Sequence, residues 1–187
     1  MPAVPTDLTP EMVLRSYFHA KDENRPHILE RVFEPGAELV VVNHASTISF
    51  PARTVGREAI ADVLVRNFAQ TYENVYSFYL RRPHARVEEF SCGWLVAMTE
   101  KHSKSARVGC GRYDWSFARA APHLARHLTI AIHAMQVLPP AEVAPVLAWV
   151  QRLSYPWCTA EEVARIAPRI ELLAPVLQHL TAYESGV

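Results

Sequence analysis

The chain has 187 residues, half of them hydrophobic, which is enough to bury one sizeable core. Its 19 lysines and arginines balance its 19 aspartates and glutamates, and no basic run gathers on one segment, so neither nucleic acid nor an anionic membrane is expected as a partner. No apolar stretch is long enough to span a bilayer, and the three cysteines lack the spacing of a disulfide framework. We therefore expect a cytoplasmic protein with reduced thiols.

The first predicted element is an amphipathic helix. Thr9 is a suitable N-cap and Pro10 suits the first helical position. Leu14, Phe18 and Asp22 follow at four-residue spacing along one side. A carboxylate at the edge of an apolar stripe can serve as a general base inside a pocket. The pattern therefore makes a binding or catalytic cavity the leading hypothesis.

The segments after this helix are predicted from turn residues and a change of period. Pro26 can open a second short helix, which ends at a Pro35-Gly36 turn, and residues 38–42 read as a covered strand. Gly56 opens a third helix with the sequence GREAIADVLVRNFAQTYE.

Four strands are then predicted at residues 75–82, 92–100, 107–118 and 127–137. Their short links favour an antiparallel meander with the helices on one face, which is an α+β fold. Two glycines in the third of these strands, Gly109 and Gly111, indicate a bulge or bend that curls the sheet.

The remaining residues, 139–187, return to a helical pattern that includes a capping box at Thr159-x-x-Glu162. These helices cannot bury their apolar faces alone. We expect an α+β domain over 1–138 and a helical extension over 139–187 that docks on the sheet or on a second subunit.

The order of these elements resembles the SnoaL-like branch of the nuclear transport factor 2-like superfamily. The motifs that carry the resemblance are an "F-x-P-G-A" turn, a "G-R-E-A-I" helix and a "G-x-Y-x-W-x-F" strand, and the resemblance covers roughly residues 9–138. The matching residues are Tyr17, Phe18, Asp22, Leu29, Phe33, Pro35, Ala37, Gly56, Ile60, Gly111, Tyr113, Trp115 and Phe117. The resemblance implies a cone-shaped fold, in which a curved antiparallel sheet wraps on helices around an apolar cavity. Many members act without a cofactor, so none is expected.

The resemblance also suggests catalytic residues. Asp22 matches the acid of the first helix, which often carries chemistry in this group. The dehydratase branch pairs that acid with two histidines and with tyrosines. One histidine position falls on His102, the other falls near Ser77, and Lys21 stands where that branch has a tyrosine. We take Asp22 and His102 as catalytic candidates, with Tyr113 as another hydrogen-bonding partner; alternatively, Asp22 is a surface aspartate.

Aromatic residues with the period of inward faces are the candidates for a ligand-binding wall. Alternatively, they simply form the core. Tyr17 and Tyr113 are the stronger candidates, because a buried phenol needs a partner that a ligand can supply. The candidates are Tyr17, Phe18, Tyr76, Trp94, Met98, Tyr113 and Trp115.

No metal site is expected, because His123, His127 and His133 lack a ligand spacing with a third carboxylate ligand. The function favoured is binding of a small apolar, aromatic or carbonyl-bearing molecule. A catalyst of this type would be a cyclase, isomerase or dehydratase that abstracts a proton. A non-catalytic binding protein and an assembly subunit are the alternatives. We also expect a homodimer formed through the outer face of the sheet.

Overall fold

The computed structural model describes residues 7–84 and 86–184, the last two by their backbone alone. Its strands are β1 (Phe33–Asn43), β2 (Arg53–Val55), β3 (Tyr72–Tyr79), β4 (Glu89–Glu100), β5 (Ala106–Phe117) and β6 (Ala125–Leu138). Its α-helices are α1 (Pro10–Asp22), α2 (Arg57–Ala61), α3 (Asn67–Thr71), α4 (Val143–Val150), α5 (Ala160–Arg165) and α6 (Ala174–Glu184). Three 3-10 helices cover Pro26–Arg31, Pro140–Glu142 and Glu171–Leu173, and a π-helical turn at Asp62–Arg66 joins α2 to α3.

Helix α1 forms where the sequence predicts it. The Thr9 hydroxyl accepts a hydrogen bond from the Met12 N–H at 3.2 Å, which satisfies one of the free donors of the first turn. Its buried face includes Tyr17 and Phe18, and its last two residues are Lys21 and Asp22. The helix therefore delivers an adjacent lysine and aspartate to the inside of the fold.

The six strands form one sheet in the order β2-β1-β6-β5-β4-β3. The predicted α+β class and the meander β3-β4-β5-β6 are confirmed. The sheet is not antiparallel throughout, because β1 lies parallel to β6. The predicted turn at Pro35-Gly36 is wrong: both residues lie inside β1, where the pairing with β6 is interrupted between Phe33 and Glu38. Such an interruption tolerates a proline, which cannot donate to the ladder.

The sheet bends at Gly111, as the glycine pattern predicts. The pairing of β5 with β6 shifts between Cys110 and Gly111. A Cβ atom on Gly111 would lie 1.9 Å from the Ala131 carbonyl oxygen and 2.7 Å from the Trp94 ring. Only glycine permits this approach of the two strands, so the curvature of the sheet depends on this position.

Helices pack on both faces of the sheet. The inner face packs on α1 and the α2–α3 segment, and the outer face packs on α4, α5 and α6. The C-terminal helices thus lie on this chain's own sheet. They cover only part of its outer face, where Val42 and Arg112 stay exposed and Asp114 half-buried, so the homodimer expected through this face stays a prediction.

The side chains of β3 that face inward are the opposite set from the predicted one. Tyr76 and Phe78 pack towards the C-terminal helices, whereas Ser77 and Tyr79 face α1. Because hydrophobic residues cover both faces, alternation alone does not identify the inner one. In β4 and β5 the prediction is confirmed, since Trp94, Met98 and Tyr113 are in the inner core.

Candidate functional site

A small cavity lies between α1, the α2–α3 segment and the inner face of the sheet. Its volume is about 50 Å³, well below the roughly 300 Å³ or more of pockets that hold drug-sized ligands. Without side-chain movement it admits only a molecule of a few heavy atoms. The lining residues are Tyr17, Lys21, Val41, Ile48, Phe50, Leu64, Phe68, Trp94, Val96, Met98, Tyr113, Ile130, Ile132 and Met135.

Lys21 is the one charged residue in this otherwise apolar and aromatic wall. Its ammonium group donates one hydrogen bond to Asp22 Oδ1 and one to Ser77 Oγ, the latter at 2.9 Å. It also lies 5.6 Å from the Phe18 ring centre and 5.2 Å from that of Phe68, which are favourable cation–π distances. An ammonium has three hydrogens, and two of them are used here. The third is available to a molecule in the cavity.

Asp22 forms the other half of this buried ion pair. Its Oδ1 accepts from the Ser77 hydroxyl at 3.0 Å, and its Oδ2 accepts from the Ser77 backbone N–H at 3.2 Å. Burial raises the pKa of the Asp22 carboxyl, although Lys21 and Ser77 act in the opposite direction. Asp22 does not line the cavity; it lines a neighbouring groove of about 300 Å³ together with Tyr76 and Gln151. The ion pair therefore separates the cavity from the groove.

Two further polar groups, on residues that line the cavity, have no partner of normal hydrogen-bond geometry within the described structure. They are the Tyr17 hydroxyl and the Trp94 indole N–H, both buried. Burial raises the pKa of Tyr17 and of Tyr113, whose hydroxyls also interact with each other, so both phenols stay protonated. Buried polar groups are normally hydrogen-bonded, and each exception needs an explanation. A ligand with an acceptor atom would supply the missing partner.

The residues expected to line a binding site divide into three groups. Tyr17, Trp94, Met98 and Tyr113 line the cavity. Phe18 and Trp115 are buried behind this wall: Phe18 stacks on Tyr79 at 3.9 Å, and Trp115 packs against Tyr17 at 5.1 Å. Tyr76 lines the groove on the outer face instead, because the side of β3 was predicted wrongly.

The two catalytic candidates are not brought together. His102 is exposed in the hairpin between β4 and β5 and is not among the cavity residues. Ser77, where the resemblance locates the second histidine, does contact Asp22. Sequence reasoning missed Lys21 as a functional residue. A signal was present, because the sequence contains only three lysines and one of them falls on the amphipathic helix α1 next to Asp22.

Among the described residues, 7–84 and 86–184, no group of three or more histidine, cysteine, aspartate or glutamate side chains could hold a metal ion. Within the same ranges, no helix has both the length and the apolar character that crossing a bilayer requires.

No protein-family model matches the chain, and no curated protein matches its sequence. Solved structures do match. A nuclear transport factor 2-like superfamily protein from Salmonella enterica serovar Typhimurium matches with a TM-score of 0.54 and 13% identity, over 66% of this chain and 88% of that chain. The structure of LinA matches with a TM-score of 0.54 and 11% identity, over 67% and 84%.

A third match is a protein with a ketosteroid isomerase-like fold from Catenulispora acidiphila, solved in complex with trimethylamine. Its TM-score is 0.51 at 16% identity, over 66% of this chain and 85% of that chain. At such identities the likeness concerns the fold and not the activity. The chain therefore shares the α+β fold, with a curved sheet, of these nuclear transport factor 2-like structures.

Proposed function

We propose that this protein binds a small, mainly apolar molecule that carries a carbonyl group, with the carbonyl oxygen on Lys21. The observation that carries this proposal is the chemistry of the polar groups in the cavity wall. The Lys21 ammonium and the Trp94 indole can only donate hydrogen bonds, and the Tyr17 hydroxyl has no partner of normal geometry. A ligand that complements this set must accept hydrogen bonds.

The charge of the site favours a neutral acceptor over a carboxylate. Lys21 is already neutralised by Asp22, so the buried pair carries no net charge. A carboxylate ligand would add a second negative charge near Asp22 in a poorly solvated site, and burying an unpaired charge is costly. A ketone, aldehyde or ester avoids this cost. The aromatic walls suit the apolar remainder of such a molecule.

Saturation-transfer NMR with small probes tests this proposal. We expect binding of the ester methyl propanoate, weaker binding of butanoate, and no binding of propylamine, which is cationic. Lys21→Met should abolish ester binding. Lys104→Met, which removes an exposed lysine, is the matched control and should not affect it. Equal signals from all three probes, or unchanged ester binding in Lys21→Met, would contradict the proposal.

A proton-transfer catalyst is the second candidate. It is favoured by the contact of Lys21 with a buried carboxyl of raised pKa. In this role Lys21 first passes one proton to Asp22. The neutral amine, because it lines the cavity, then takes the proton next to the substrate carbonyl, and the ammonium that re-forms stabilises the enolate. Cyclisation, isomerisation and dehydration all begin with such a step.

Hydrogen–deuterium exchange tests the catalytic role without knowledge of the substrate. The protein in D2O should accelerate exchange at the carbons next to the carbonyl of butanone, as followed by proton NMR. Lys21→Met should remove this acceleration, whereas Lys104→Met should keep it. An exchange rate equal to that in buffer would leave binding as the only supported role.

Three other expectations from the sequence concern the cellular setting, a role as an assembly subunit and the homodimer. Three free, buried cysteines support our proposal of a cytoplasmic setting. An assembly subunit is less favoured, because the helices assigned to a partner contact pack on this chain's own sheet. The homodimer stays a prediction.

A further inference from the structure

The setting of Lys21 differs from that of the other two lysines in the sequence. Lys101 and Lys104 are exposed at the hairpin between β4 and β5, whereas Lys21 is buried and lines the cavity. The chain otherwise uses arginine for its positive charges, with 16 arginines and three lysines among its 19 basic residues. A desolvated primary amine is a nucleophile for carbonyl carbon, whereas a guanidinium is not.

Asp22 gives this amine a proton acceptor in direct contact. Transfer of one proton from Lys21 to Asp22 replaces a buried ion pair with two neutral groups, and burial raises the pKa of the Asp22 carboxyl that receives the proton. The carboxyl that results can return the proton in a later step. Asp22 also lines the outer groove, through which its proton can exchange with solvent.

We propose that Lys21 forms an imine with a small aldehyde or ketone bound in the cavity. This inference rests on the proposed function and names its chemistry. The neutral Nζ adds to the carbonyl carbon to give a carbinolamine. Asp22 then donates its proton to the departing hydroxyl, which leaves as water, and a protonated imine forms on Lys21. Overall, the ammonium and the carbonyl compound become an iminium and one water, and Asp22 is again a carboxylate.

The surroundings of Lys21 fit the product as well as the free amine. The iminium has the same single positive charge as the ammonium, so the ion pair with Asp22 is kept. The rings of Phe18 and Phe68 would attract this charge, since they already face Nζ at 5.6 and 5.2 Å. The apolar wall excludes water, which would hydrolyse the imine.

Reductive trapping tests the proposal in the full chain. The protein is incubated with butanal and sodium cyanoborohydride, and the alkylated lysines are located by peptide mass spectrometry. We expect the native protein to take up the butyl group mainly at Lys21, ahead of the exposed Lys101 and Lys104. The same treatment in denaturant should remove this preference. Labelling of Lys101 and Lys104 with little or none at Lys21 would overturn the proposal.

Two variants and one competitor sharpen this test. Lys101→Arg with Lys104→Arg leaves Lys21 as the single lysine and should retain the label. Excess methyl propanoate, which binds without forming an imine, should suppress labelling at Lys21. If this ester binds by NMR but Lys21 is not trapped, the imine is refuted and the proposed function stands. If neither occurs, both fail.

Discussion

The energetic role of the Lys21–Asp22 pair can be measured by a double-mutant cycle with Lys21→Met and Asp22→Asn. The two side chains are only 8% and 7% exposed, so solvent screens their interaction weakly. Asp22→Asn leaves the Lys21 ammonium buried with Ser77 as its remaining hydrogen-bond partner. Removing one partner of a buried pair costs about 3–5 kcal/mol, because the other charge stays unpaired. We expect this loss in the free energy of unfolding for Asp22→Asn.

Lys21→Met should cost less than Asp22→Asn. The Asp22 carboxyl has a raised pKa and can take up a proton, and it keeps both hydrogen bonds from Ser77. The double variant removes both charges, so its loss of stability should be smaller than the sum of the two single losses. We expect a coupling energy of about 2–3 kcal/mol. Urea denaturation of all four proteins gives these values.

The exposed pair of Lys104 and Glu73 is the matched control for this cycle. Its side chains are 67% and 41% exposed at a separation of 3.4 Å, and such pairs contribute less than about 1 kcal/mol. If Lys21→Met and Asp22→Asn each lowered the free energy of unfolding as little as this control, and their effects were additive, the pair would behave as a surface ion pair. The account of a buried, coupled site would then be wrong.

Three further predictions follow from other parts of the fold. Gly111→Ala should lower the free energy of unfolding by about 3 kcal/mol or more in urea denaturation, because its Cβ would meet a backbone oxygen of β6 at 1.9 Å. Gly36→Ala, whose Cβ would have nothing within 4 Å, should leave the free energy of unfolding unchanged. Tyr79→Phe should cost about 1 kcal/mol in the same assay, since it removes a buried 2.9 Å hydrogen bond to an α1 carbonyl; an unchanged stability would contradict this. Burial lowers the pKa of His133, with neighbouring histidines acting in the same direction. At pH values between the pKa of the folded state and that of the unfolded state, the unfolded state therefore binds more protons than the folded state. The contribution of His133 to stability should be complete above the ordinary histidine pKa of about 6.5 and should decline below it. His133→Asn should reduce that decline, as measured by urea midpoints on either side of this pH; an identical decline in both proteins would refute it.

The sequence predicts the local parts of the fold well. Helix α1 has its own N-cap and periodicity, and the meander has strands with short links, so both follow from neighbouring residues. The bend at Gly111 is likewise visible as a glycine within a strand. Each of these features depends on short-range rules of backbone conformation and hydrophobic period.

The features that escaped prediction depend on contacts between distant segments. The parallel pairing of β1 with β6 and the docking of the C-terminal helices join residues far apart in the chain. That docking makes β3 apolar on both faces, so Tyr76 was assigned to the wrong side. The contacts of Ser77 with Lys21 and Asp22 join residues 56 and 55 positions apart, so no local pattern indicates them.

The central claim is that a carbonyl compound binds next to the amino group of Lys21. The most direct measurement uses protein labelled with 13C at the ε-carbon of lysine, which should give one NMR signal for each of the three lysines. Lys101→Arg and Lys104→Arg assign the signals. On titration with methyl propanoate, we predict that the Lys21 signal shifts and saturates while the other two stay in place. A Lys21 signal that does not move, or moves only with the other two, would contradict the account.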